Sequence, residues 1–296
     1  MDAAHEIREF LATRRAKITP QKAGLPAFGG ANRRVPGLRR EEVAMLAGVS
    51  IDYYARLERG QLAGASEEVL DALSRALQLD EAEHAHLHDL AAAQRHRPPR
   101  RTARKAKTAV PASLTRVLDS MTDAPAFIRS GRLDILAVNP LGRALYAPLF
   151  TGSGRPVNIA RFQFLDPTSR GFFPDWNAAV HTTVSLLRTE AGRAPGDAEL
   201  TGLIGELVTR SDEFRAAWAK HNVRLHHTGR KSFRHPAIGE ITLDFDTMEL
   251  PAHPGLTLTA YSAEPGTPDH DALRLLASWA ATSPDEAHQD APVPDQ

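Results

Sequence analysis

The run RHRPPRRTARKAK at 95–107 holds seven lysines and arginines, two prolines and no acidic residue. Charges of one sign this dense repel one another, each proline removes a backbone donor, and no sizeable apolar side chain is present to bury. The run fits neither a packed helix nor a strand, and 95–110 reads as a linker. It cuts the 296 residues into a front stretch, 1–94, and a longer one from 111, each large enough for a core of its own.

The two sides differ in charge. Residues 1–108 carry 19 Lys and Arg against 14 Asp and Glu, and the remainder carries 17 against 22. A basic front joined to an acidic back implies that the front alone meets a polyanion. Cysteine is absent, which excludes disulfides, iron–sulfur clusters, thiolate zinc sites and thiol catalysis. No window approaches the roughly 20 apolar residues of a membrane span, and MDAAHEIREF lacks the apolar core of a signal peptide. The expected compartment is the cytoplasm, at the nucleoid if DNA is the polyanion.

In the front stretch Ile7, Phe10, Leu11 and Arg14 recur at helical spacing, so about 4–15 is expected to be a helix with one buried face. A loop rich in Gly and Pro follows. Helical pattern returns from Arg39, with Val43, Ala44, Leu46 and Ala47 on one side and Gly48 closing it. Ser50 is placed to cap a third helix whose Tyr54 and Leu57 face inward and which Gly60 stops. Ser66 and Asp80 open two more, so five short helices form one all-α domain.

Two short helices joined at a glycine match a helix-turn-helix. With the second lying in a DNA major groove, its outward residues are Ser50, Ile51, Asp52, Tyr53, Arg56 and Arg59. Arg56 suits paired donation to guanine, Ile51 a thymine methyl and Asp52 a cytosine amine. Arg39 and Arg40, where the preceding helix begins, suit phosphates, and Arg33 and Arg34 on the loop reach a phosphate or the minor groove. The plainer alternative is a helical bundle with a solvated arginine face, in which Glu58 pairs internally with Arg14 or Arg15.

Behind the linker, Leu114, Val117, Leu118 and Met121 mark a helix. PAFIRS and RLDILAVN alternate like a hairpin turned at Ser130-Gly131, and NVRLHHTG, IGEITLDFDTM and LTLTAYSA alternate likewise. Residues 174–220 are helical in pattern, with Val180, Val184 and Leu187 on one face, and 269–281 closes with Leu273, Leu276 and Trp279. Residues 111–283 thus read as an α+β domain of about five antiparallel strands with helices on one face, and 284–296 as a disordered tail.

REEVAMLAGVSIDYYARLERGQ resembles the helix-turn-helix of phage-repressor-like (lambda-repressor-like, Xre-type) regulators. The fuller VPGLRREEVAMLAGVSIDYYARLERG is similar to an actinobacterial branch whose second half is an MmyB-like ligand-binding domain. The resemblance continues through NIAR (158–161), FLDP (164–167), DW (175–176), SDEFRAAWAKHNV (211–223), HPAIGEITLDFDTM (235–248) and AYSAEPGTPDHDALRLLA (260–277). It implies a transcription regulator with a PAS-like sheet around an apolar pocket and a small apolar effector such as a fatty acid. One helix-turn-helix buries limited DNA surface, so a homodimer on an inverted-repeat operator is expected, and the resemblance implies that the PAS-like domain supplies the dimer contact. Phe164, Phe172, Trp176 and Leu187 are candidates to line that pocket, and Arg161, His181, Arg188 and Tyr261 to meet a carboxylate.

Two alternatives stay open: a DNA-binding adaptor whose second domain holds a protein partner, and an enzyme acting in that pocket. No GxSxG, HExxH or GxGxxG lies in a context that supports catalysis, and neither a catalytic residue nor a resident cofactor is expected. His84 and His88 stand one helical turn apart, a metal-binding spacing. The sequence suggests no third ligand, so no metal is expected.

Overall fold

The computed structural model describes residues 3–25, 35, 37–95, 109–151, 156–220 and 228–282. Arg33, Arg34, most of the expected linker, the tail and most of the expected strand NVRLHHTG lie outside them. The first five helices are α1 (Ala3–Lys17), α2 (Arg40–Leu46), α3 (Ile51–Glu58), α4 (Glu67–Ala76) and α5 (Glu81–Arg95). Then come α6 (Ala112–Asp119), β1 (Ala126–Ser130), β2 (Ile135–Val138), α7 (Pro140–Leu145) and a 3-10 turn at Ala147–Phe150. Next are α8 (Ile159–Leu165), α9 (Ser169–Phe172), α10 (Trp176–Arg193), α11 (Ala198–Arg210) and α12 (Asp212–Trp218). The chain closes with β3 (Thr228–His235), β4 (Gly239–Glu249), β5 (Leu256–Ser262) and α13 (Pro268–Thr282).

The described residues of 1–106 and 177–226 form one compact unit, and those of 107–176 and 227–296 form another. In the first, the helical spacing of α1 delivers Ile7, Phe10 and Leu11 to a core shared with Leu38, Val43, Tyr54, Leu57, Leu70, Leu73 and Leu87. Gly60 ends α3 at φ +97°, and a side chain there would stand 2.3 Å from the Ala4 carbonyl oxygen, so only glycine lets α1 approach.

The described residues of 177–226, most of which the sequence pattern places with the sheet, group with these N-terminal helices. The physical reason lies in α10. Its Arg188 is fully buried and donates to the Glu6 carboxylate of α1 and to the Trp218 carbonyl. The guanidinium also lies 4.0 Å from the centre of the Trp218 ring. A buried cation needs a buried anion, and Glu6 supplies it. Farther along α10, Arg193 reaches Asp89 of α5 at 3.2 Å.

The second unit is built on an antiparallel sheet in the order β2-β1-β5-β4-β3. Register sorts its two faces. Phe127 pairs with Thr259, Tyr261 with Phe245, and Phe233 with Ile241. The alternate positions Ala126, Ile128 and Leu258 pack with Leu114 and Leu118 of α6. A helix thus covers part of the second face as well, where the sequence led to helices on one face only. Alternation along β1 explains this, since all five of its residues are buried and so both of its sides need cover.

Asn139, fully buried at the N-cap of α7, knits the unit together. Its Oδ1 accepts from Ala126 N at 2.9 Å and Gly142 N at 2.7 Å. Its amide donates to the carbonyls of Met121 at 2.7 Å and Ala124 at 2.8 Å. Asn139→Ala strands four backbone groups, two of them buried, and is expected to cost about 3 kcal/mol. Asn139→Asp, which cannot donate to the two carbonyls, should cost at least as much. Urea denaturation measures both, and a loss below about 1 kcal/mol for Asn139→Ala would show that the node is dispensable.

Candidate DNA interface and aromatic cation site

Gly48, at φ +66°, turns the chain out of α2. Its N–H donates to Met45 O at 3.2 Å, and Val49 N donates to Ala44 O at 2.9 Å, satisfying the last carbonyls of the helix. Ser50 Oγ then accepts from Tyr53 N at 3.1 Å and starts α3. One side of α3 is interior: Tyr54, Leu57 and even Glu58 are buried.

Glu58 is the unusual member, a carboxylate on the core side. Arg15, from the last turn of α1, donates to its Oε1 at 2.7 Å and to the Leu38 carbonyl at 2.9 Å. Arg40, the first residue of α2, donates to its Oε2. One carboxylate therefore pins the first three helices. It also occupies the Nε of Arg40, whose expected partner is a DNA phosphate, although the Arg40 side chain stays 58% exposed. The hydrogen bond to Glu58, ahead of its charge, raises the Arg40 pKa and keeps the cation in place.

The opposite side of α3 carries the expected DNA-reading residues. Ser50, Ile51, Asp52, Arg56 and Arg59 are exposed, and Tyr53 is half-buried beneath the Arg56 guanidinium, 4.9 Å from its ring centre. Ile51 leaves 53% of its surface in solvent without a protein partner to cover it. Arg39 is exposed, with its side chain 3.2 Å from Glu41 and its N–H held by Glu42 at 2.6 Å.

The second unit has its own chemistry. On the Phe127 face of the sheet, Tyr146, Phe172, Phe173, Phe233 and Tyr261 meet mostly edge to face. Tyr146 and Tyr261 share a hydrogen bond of 2.6 Å, and burial pushes the Tyr261 phenol up to about 12. Lys231 enters this cluster from β3. Its Nζ lies 3.1 Å from the Tyr146 hydroxyl, 4.7 Å from the Phe173 ring centre and 5.5 Å from those of Tyr146 and Phe233. Among the described residues no carboxylate pairs with it. Burial, and then the charge of Arg129, lowers its pKa to about 8.

Of the residues expected to bind a ligand, Phe172 and Tyr261 fall in this cluster. Trp176 stacks under Arg170 at 4.8 Å, while Arg161 and Phe164 on α8 are half-buried. His181, Leu187 and Arg188 belong to the first unit: His181 is exposed, Leu187 is core, and the carboxylate that Arg188 meets is the protein's own Glu6. The expected set is thus divided between the units. Lys231 escaped the sequence reading. Its signal was the alternation of GRKSFRH, which puts Lys231 on the same strand face as the buried Phe233 and His235.

Glu58→Ala leaves two arginines without their anion and is expected to destabilise the fold by about 3 kcal/mol. Arg56→Ala, on the exposed side of the same helix, should stay within about 0.5 kcal/mol of the parent. Urea titration separates them, and equal losses would show that Glu58 does not organise the helices.

Two known families match the chain. Residues 6–87 match a helix-turn-helix domain. Residues 110–276 match the MmyB-like transcription regulator ligand binding domain. No curated protein matches the chain. Among the described residues no helix is long and apolar enough to cross a membrane. With the ligand-domain match spanning more than half of its length and the exposed arginine face of α3 inside the other match, the chain belongs to the MmyB-like transcription regulators, with a helix-turn-helix domain ahead of the ligand-binding domain.

Proposed function

We propose that the protein is a sequence-specific transcription regulator, acting in the cytoplasm as a homodimer on an inverted repeat, and that its effector is an amphiphilic acid of the fatty-acid class. The observation that supports the ligand class is Lys231, a cation set among aromatic rings with no carboxylate paired to it among the described residues. A carboxylate head supplies the missing charge, and each methylene of its chain that is buried adds about 0.8 kcal/mol. Tyr146 and Tyr261 offer hydroxyls beside the same point. Lys231 and Arg129 replace Arg161, Arg188 and His181 as the head-group partners of choice. The exposed Leu275 and Trp279 on α13 support self-association through that helix.

Coupling follows from where the helices belong. Arg188 lies within the ligand-domain match and Glu6 within the helix-turn-helix match, yet both sit in one compact unit. A ligand that shifts α10 acts on α1 through this pair. A coupling of about 1–3 kcal/mol changes operator affinity roughly 5–150-fold. No catalytic step is assigned to the site.

Arg56→Ala is expected to weaken operator binding by about 1–3 kcal/mol and to relax base preference, as footprinting reads directly. For the effector, titration of a long-chain fatty acid by calorimetry should give saturable binding that Lys231→Met weakens at least tenfold. Its pH dependence has a definite sign. The folded chain holds Lys231 near pKa about 8 against 10.5 when unfolded, so without ligand it binds fewer protons than the unfolded chain across that window, and its stability rises there with pH. Affinity for the carboxylate does the opposite, falling by up to about tenfold per unit above pH 8 as the ammonium deprotonates. Binding that is indifferent both to Lys231→Met and to pH from 7 to 10 rules out this head-group site. Turnover of the acyl compound would instead identify an enzyme.

A further inference from the structure

On α4, Glu67 and Asp71 stand one turn apart, and on α5, His84 and His88 stand one turn apart. The two helices pack so that these pairs face each other. His88 Nε2 lies 3.2 Å from Asp71 Oδ1 and His84 Nε2 lies 3.8 Å from the same oxygen, with the two rings 4.4 Å apart. One ligand atom each from Asp71, His84 and His88 lies within 4.8 Å of the others. The third ligand that the sequence did not suggest is Asp71.

The hydrogen bonds decide which ring nitrogens carry protons. Ser74 Oγ donates its only proton to the Leu70 carbonyl at 2.9 Å, so at 3.0 Å it must accept from His84 Nδ1–H. His88 Nδ1 lies 2.7 Å from Glu67 Oε2, and a carboxylate only accepts, so that nitrogen carries a proton too. Glu67 is itself held by Arg95 through Oε1 at 2.7 Å. In the neutral rings both Nε2 atoms are therefore left with lone pairs, and both are turned toward the same anionic oxygen. His88 Nε2 is shielded from solvent and makes no hydrogen bond. Three electron-rich atoms converging in this way repel unless a cation stands among them. A proton satisfies one ring; a metal ion satisfies both.

We infer that Asp71, His84 and His88 form a binding site for a divalent late first-row metal ion, Zn2+ foremost. Two imidazole nitrogens and one carboxylate oxygen are a donor set that zinc accepts with a water in the fourth position. A tetrahedral ion with bonds of about 2.0–2.2 Å needs donors about 3.4 Å apart, which the 3.2 and 3.8 Å separations bracket. Glu67 and Ser74 are the outer partners that orient the two rings, as metal-bound histidines require. Asp71 and His84 are each more than two-fifths exposed, so an ion enters from solution without unfolding the helices. Once bound, it ties α4 to α5.

The test is calorimetric titration of ZnCl2 into the chelator-stripped full-length chain, with melting temperature recorded with and without the metal. One ion per chain and a raised melting temperature are expected. Asp71→Ala and His84→Ala should each lower affinity at least tenfold and abolish the thermal shift. Their metal-free melting temperatures should stay near that of the parent, because both side chains reach solvent and neither belongs to the apolar core. Glu67→Ala, which removes only the orienting partner, should weaken binding about 10–100-fold. The site is refuted if no saturable binding occurs up to millimolar ZnCl2, or if binding persists undiminished in both Asp71→Ala and His84→Ala. The latter result would place the ion on other histidines of the chain.

Discussion

A single carboxylate on the wrong side of a helix organises the DNA-reading end of this protein. Glu58 is buried on the core face of α3, where an unpaired charge would be prohibitively costly, so the fold must bring it cations. It takes one from the end of α1 and one from the start of α2. The helix-turn-helix is thereby held by directional charge-assisted bonds in addition to its apolar core. The outer face of α3 is relieved of any structural duty. Ile51, Asp52, Arg56 and Arg59 face solvent because nothing within the fold needs them.

The same rule bears on two further cations, the buried Arg188 and the half-buried Lys231, with two outcomes. Arg188 is matched by Glu6 and by a carbonyl, and it stitches α10 onto α1. Lys231 has aromatic faces and a tyrosine hydroxyl but, among the described residues, no paired anion, and burial depresses its pKa. A matched cation is architecture, whereas one without a paired anion is what the proposed carboxylate ligand would complete. In a ligand-binding domain this contrast separates the two roles more sharply than residue type does, since arginine would otherwise be the better carboxylate partner.

Much of the fold was legible because it is encoded locally. The spacing of Ile7, Phe10 and Leu11, the capping hydroxyl of Ser50 and the glycines at 48 and 60 specify the first helices from neighbours within a few residues. Alternation marked β1, β2, β4 and β5 for the same reason. The outward face of α3 was legible too, because fixing its inward residues Tyr54 and Leu57 fixes the rest by helical geometry. The candidate ligand residues were less so. Charge singles out Arg161, His181 and Arg188, but charge alone does not say whether the protein already supplies the counter-ion.

By itself, then, the sequence determined the two fold classes and the capped third helix of the helix-turn-helix, since composition, period and caps act over one or two turns. Only the tertiary structure decided the charge partners, because those contacts close over long separations. Arg15 and Glu58 are 43 residues apart, and Glu6 and Arg188 are 182 apart. Packing alone moved α10–α12 to the N-terminal helices, turned Lys231 among aromatic rings and set Asp71 opposite two histidines. Each of these depends on which helix or strand becomes a neighbour, and no local pattern along the chain carries that information.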